Sequence, residues 1–236
     1  MELEHNEPFG EEAPSRWEGL QTRVISGAVL LAVALGIVWH GGFVFHLFVL
    51  LAAMMMVKEW NQLTASDGPA WHLAGMFYAA IPCASLIWLR ELNFESDIHG
   101  GAHVVLYVLL AVWATDIGAY AAGRQFGVAK LAPSISPGKT WVGLGGGVLL
   151  AGIAGGLAHS FSPFPAGFGM SIVLAMLIAL IAQGGDLFES WLKRRAGVKD
   201  SGKLIPGHGG LLDRIDGLVF ALPLYAWAVS LAGAGQ

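Results

Sequence analysis

Of 236 residues, 55% are hydrophobic and only 13% charged, where a soluble domain of this size carries about 25% charged residues. That leaves too little polar surface to cover a globule in water, and it excludes a soluble enzyme, a disordered chain and a nucleic-acid binder. The 33 Gly and 9 Trp suit close helix contact within a bilayer and anchoring at its interfaces. The composition therefore predicts an all-α polytopic membrane protein.

The chain opens on an acidic stretch, with Glu2, Glu4, Glu7, Glu11, Glu12 and Glu18 against Arg16 alone. Residues 1–22 read as a solvated tail rather than a signal peptide, which would need a basic start. Apolar runs approaching the roughly 20 residues of a bilayer span follow near 24–40, 42–57, 73–89, 103–123, 141–158, 170–188 and 216–233. About seven transmembrane helices result, within a range of six to nine. The first two are short and meet at Gly41-Gly42, so they form a helical hairpin or one is re-entrant. The lone Cys83 lies in an apolar run and reads as a packing residue.

Basic residues mark the cytoplasmic side. With seven spans and the N-terminus inside, every Lys and Arg except Arg90 falls on that side. Two of its loops stand out, 124–140 and 189–215. Carboxylates gather beside them. Asp116 interrupts span four, Asp186 and Glu189 close span six, and Asp213 and Asp216 open span seven. A carboxylate in or near hydrocarbon marks a functional site by default. Each of the last two pairs is spaced by three residues and so shares a helix face. Asp186 and Glu189, at a helix C-terminus, lie against its dipole and need a cation. Lys193 supplies one; a divalent metal is the other candidate, and Mg²⁺ is typically held by one or two carboxylates, water and phosphates.

Residues 190–216 read SWLKRRAGVKDSGKLIPGHGGLLDRID. Cations interleaved with Gly suit a polyphosphate cradle, and a positive-inside loop facing anionic lipid has the same composition. His208 stands between the loop's glycines, placed to contact phosphate or carry a proton. The earlier loop ends ISPGKTW, where Pro137-Gly138 is expected to turn and present Lys139 and Thr140 at the mouth of span five. It lacks the glycine spacing of a P-loop.

The second loop carries the specific signal. Ser190, Leu192, Lys193-Arg194, Lys199-Asp200, Gly202, Ile205-Pro206, His208-Gly209-Gly210, Asp213-Arg214 and Asp216 match the signature of phosphatidate cytidylyltransferases. ATDIGAYAAGRQFG, SPGKTWVG and GDLFESWLKR are similar to the family's upstream elements. The resemblance is clear over roughly 110–220 and weaker over 1–100. It implies an integral membrane enzyme of phospholipid biosynthesis that converts CTP and phosphatidic acid to CDP-diacylglycerol and pyrophosphate. It also implies Mg²⁺, with room for a second cation, a homodimer in the lipid bilayer and a site on the cytoplasmic face of a bacterial-type inner membrane. The division that follows is a tail over 1–22, N-terminal transmembrane helices over 23–100 and a catalytic transmembrane domain over 101–236. The chain is shorter than many members, with the shortfall expected before residue 110.

The residues and the resemblance together assign Asp186, Asp216, Asp213 and Asp116 as candidate metal ligands. Asp186, Asp213, Asp216, Lys193 and His208 are the candidate catalytic set. Lys139, Thr140, Arg194, Lys199, Lys203 and Arg214 are the candidate phosphate contacts. A transporter, whose acids would lie mid-span, and a CTP-dependent lipid kinase are the rival readings.

Overall fold

The computed structural model describes residues 16–94, 99–161, 167–202 and 209–233. Each apolar run becomes a helix: α1 (Arg16–His40), α2 (Gly42–Leu63), α3 (Pro69–Glu91), α4 (Gly100–Phe126), α5 (Trp141–Ala158), α6 (Phe168–Arg195) and α7 (Leu212–Leu231). Helices α2 to α7 are long and apolar enough to cross a membrane, and α1 is apolar only over 27–40. The molecule is an all-α polytopic membrane protein with one addition. A short antiparallel hairpin, β1 (Lys130–Ala132) and β2 (Ser136–Thr140), fills the loop between α4 and α5. Helix α1 begins inside the stretch expected as tail.

The α1–α2 reversal uses the left-handed backbone of Gly41 and Gly42, at φ 69° and 62°. Arg90, the base that fell on the wrong side in the sequence, explains itself here. Its guanidinium donates to the carbonyls of Val38 (2.5 Å) and Trp39 (2.8 Å). These are among the last carbonyls of α1, which have no partner within the helix. A Cβ at Gly41 would stand 2.5 Å from that guanidinium.

Helix α4 is the central post. Val104, Val105, Tyr107, Val108 and Ala111 are buried against Leu174, Ala175 and Ile178 of α6 and Leu222 and Tyr225 of α7. A second cluster, Met56, Trp60, Leu192, Leu212 and Val219, ties α2 to α6 and α7 at the opposite end of the bundle. Outward faces carry exposed Phe43, Leu73, Phe77, Leu149 and Trp227, as lipid contact requires.

Between α4 and α5 the backbones touch through glycine. A Cβ on Gly118 would lie 2.5 Å from the carbonyl oxygen of Gly146, and one on Gly147 would lie 2.8 Å from that of Thr115. Without a hydrophobic drive between helices in lipid, such close packing supplies the association. Gly118→Leu should therefore cost about 1–3 kcal/mol through overpacking, read as a lower unfolding temperature in detergent. Gly145→Leu, at a position with nothing within 4 Å, is the control and should leave that temperature in place.

Candidate active site

Three helices bring carboxylates to one end of the bundle. Gly185 lets α6 cross α7 closely, since a Cβ there would lie 2.5 Å from the carbonyl oxygen of Asp216. That crossing sets Asp186 beside Asp216. Asp116 of α4 joins them, and the carboxylates of all three interact electrostatically with one another and with Lys139. The Lys139 ammonium forms an ion pair with Asp186 and donates to Gln183 Oε1 at 3.0 Å. A cation from the hairpin thus sits among three acids.

Pro137 and Gly138 lie within β2 rather than in the expected turn, which falls over 133–135. Strand β2 leads directly into α5, and Thr140 is the helix N-cap. Its hydroxyl accepts from the Gly143 N–H at 3.0 Å, and its side chain is buried against Gly123 and Gly127. The Thr140 hydroxyl thus accepts at the helix N-terminus and keeps its own proton to donate.

Helix α6 continues to Arg195, two turns past the expected end. Asp186 and Glu189 are therefore not in its last turn, where the dipole acts, and the dipole argument for a cation falls. Coulomb attraction supplies the need directly. Lys193 Nζ lies 2.6 Å from Asp213 Oδ1 and 3.1 Å from Glu189 Oε1. Asp213 Oδ2 also accepts from the Ser201 N–H (2.8 Å), the Ser201 hydroxyl (2.9 Å) and the Gly210 N–H (2.8 Å). With both oxygens engaged, Asp213 braces the signature loop.

The sequence reading passed over Glu59. This residue of α2 is 4% exposed and accepts from the N–H groups of Leu211 and Leu212, both at 2.8 Å, and from the Ser201 hydroxyl at 3.0 Å. It thus serves the first amides of α7 from across the bundle. Gly210 leaves room for it, since a Cβ there would meet Glu59 Oε2 at 2.6 Å. The signal was an acid in the apolar run MMMVKEW.

Arg194 is exposed and donates to the Ile135 carbonyl at 3.3 Å and the Val198 carbonyl at 3.2 Å, tying α6 to the hairpin turn. Lys199 lines a cavity of about 900 Å³ between α2 and the signature loop, with Lys58 and Asp200. Arg214 is exposed on the first turn of α7. Lys203 and His208 lie outside the described residues.

Among the described residues, no three His, Cys, Asp or Glu side chains are gathered to hold a metal by themselves. The donors present are hard carboxylate oxygens of Asp186 and Asp216, with Asp116 nearby. Such a set fits Mg²⁺, which commonly takes one or two carboxylates and completes its shell with water and phosphate. The arrangement can hold polyphosphate next to a cation at the membrane boundary.

Residues 21–91 and 70–232 match the model of the cytidylyltransferase family. The match reaches well into the front of the chain, where the sequence resemblance was weak. Similar curated proteins include the phosphatidate cytidylyltransferase of Brucella suis biovar 1 (strain 1330), 37% identical over 87% of this chain and 91% of that one. That of Rickettsia felis (strain ATCC VR-1525 / URRWXCal2) is 37% identical over 88% and 91%. That of Haemophilus influenzae (strain ATCC 51907 / DSM 11121 / KW20 / Rd) is 43% identical over 69% and 58%.

Proposed function

The chain belongs to the cytidylyltransferase family, and from that premise we propose that it transfers CMP from CTP to phosphatidic acid, giving CDP-diacylglycerol and pyrophosphate. A phosphate oxygen of phosphatidate forms a bond to the α-phosphorus of CTP while the bond from that phosphorus to the β-phosphate bridging oxygen breaks. The nucleophile is already ionised at neutral pH, so catalysis is a matter of positioning and charge. Mg²⁺ held by Asp186 and Asp216 would supply charge neutralisation on the phosphates.

The chain's own residues do the rest. Lys139, in ion-pair contact with Asp186, offers a positive charge to the triphosphate. Asp116 orients the Asp186–Lys139 pair. Lys193 and Asp213 fix the signature loop so that Arg214 and Lys199 face incoming phosphate. Lys139, Lys193, Arg194, Arg195 and Arg214 cluster at the helix ends and connections that carry these groups, which supports a cytoplasmic site in a bacterial-type inner membrane. A homodimer is part of the same reading.

The observation that carries it is the meeting of Asp116, Asp186 and Asp216 around Lys139, directly beside the signature loop. The test is pyrophosphate release by detergent-purified protein given CTP, Mg²⁺ and phosphatidic acid, with each omitted in turn. Release that needs all three, with a CDP-lipid product, is expected. CDP with a phosphorylated lipid and no pyrophosphate would mean a kinase. No nucleotide turnover in folded protein would return the acids to an ion pathway.

A further inference from the structure

Helices α3, α6 and α7 leave an apolar groove of about 410 Å³ on the outer surface of the bundle, lined by Trp60, Phe77, Tyr78, Ile81, Phe188 and Phe220 among others. Two of its walls contain a proline, Pro82 within α3 and Pro223 within α7. A helical proline has no N–H for the carbonyl four residues before it. Those carbonyls belong to Tyr78 and Val219, which also line the groove. Each helix thus lacks one backbone hydrogen bond where the groove lies.

Polar atoms lie buried behind this apolar lining. The Tyr78 hydroxyl is buried with no hydrogen-bond partner. Its ring is held by Trp60, Phe188 and Phe220, at centroid distances of 4.7, 5.8 and 6.0 Å. The hydroxyl lies within electrostatic reach of the Glu189 and Asp216 carboxylates. Glu189 is 1% exposed, and beyond its ion pair with Lys193 neither oxygen has a hydrogen-bond partner. A buried donor and a buried acceptor thus stand near each other unjoined, where the groove meets the candidate site. Unsatisfied polar groups are expensive in such surroundings. An acceptor oxygen arriving from the groove would satisfy the Tyr78 donor.

Phe77, Ile81 and Phe220 are 58%, 50% and 37% exposed on helices that cross the membrane, so the groove fills from the bilayer. We propose that it holds an acyl chain of the phosphatidate substrate, with the Tyr78 hydroxyl donating to an ester or phosphate oxygen at the head of that chain. The proposal rests on the cytidylyltransferase reading above. Tyr78 then sets where the lipid stops, and the aromatic walls set which chains fit.

Two variants and two readouts test it. Tyr78→Phe keeps the ring and removes the donor. It should raise the KM for phosphatidate about three- to tenfold, the value of one hydrogen bond, and leave the KM for CTP and the unfolding temperature unchanged. Ala74→Phe, which fills the groove, should raise the KM for long-chain phosphatidate and spare dihexanoyl phosphatidate. The second readout needs no turnover. Phosphatidate brominated on its acyl chains should quench tryptophan fluorescence through Trp60, and Ala74→Phe should weaken that quenching. Unchanged lipid KM and unchanged quenching in both variants would overturn the proposal, as would equal shifts for CTP and lipid. If wild-type protein makes no CDP-lipid while quenching still depends on residue 74, the groove stands and the enzymatic reading falls.

Discussion

Asp186→Asn and Asp216→Asn are each expected to lower turnover by about a hundred- to a thousandfold, the range seen when a group facing developing charge is removed. Stability should move the other way. Asp216 faces Asp186 and Asp116, and like charges held together destabilise the fold that holds them. Asp216→Asn should therefore unfold at the same temperature as wild type or higher, even though it is nearly inactive. Asp186 differs because it carries the Lys139 ion pair. Lys139→Met and Asp186→Asn should be strongly non-additive in a double-mutant cycle, as groups in contact are. Near-wild-type turnover at saturating Mg²⁺ in either Asn variant would remove that residue from the ligand set.

The second large effect concerns Glu59. Glu59→Ala strips the acceptor from two backbone N–H groups, while the Ser201 hydroxyl keeps Asp213. A buried donor left unpaired costs about 1–3 kcal/mol, so a loss of about 3 kcal/mol or more in stability is expected. Glu59→Gln fares little better, because its amide turns a donor toward donors. Both should speed hydrogen exchange at Leu211 and Leu212. Activity should fall as well, because the same Ser201 that bonds Glu59 also bonds Asp213, which braces Lys193. Lys58→Ala, one residue away and exposed, should leave stability unchanged. Wild-type exchange at both amides in Glu59→Ala would refute the anchor.

These residues also mark how far sequence reasoning reached. Hydropathy located the seven helices found among the described residues, because a bilayer demands long apolar runs. Intramembrane cost singled out Asp116, Asp186 and Asp216, which the fold brings together. Helix ends were harder to place. The turns from Glu189 to Arg195 are too charged to read as a span, yet they continue α6, since Leu192 on their inner face is buried. Local turn chemistry misled at Pro137-Gly138, which the hairpin holds in extended form. The N-cap role of Thr140 depends on the fold that sets strand β2 directly before α5. Glu59 was missed because its partners lie some 150 residues away in the chain, beyond the reach of any local pattern.

The unequal lengths of adjacent helices bear on depth. At about 1.5 Å per residue, the 18 residues of α5 extend about 27 Å and the 28 of α6 about 42 Å. Hydrocarbon is about 30 Å thick. Counted from Phe168, Asp186 stands about 27 Å along the α6 axis, at the rim of the oil, and the turns bearing Glu189 and Lys193 rise into the headgroup layer. A lipid phosphate already lives at that height, so the substrate has no need to be lifted out of its leaflet to react. The short α5 falls about 3 Å short of the hydrocarbon thickness, a mismatch that local thinning of the bilayer around it accommodates.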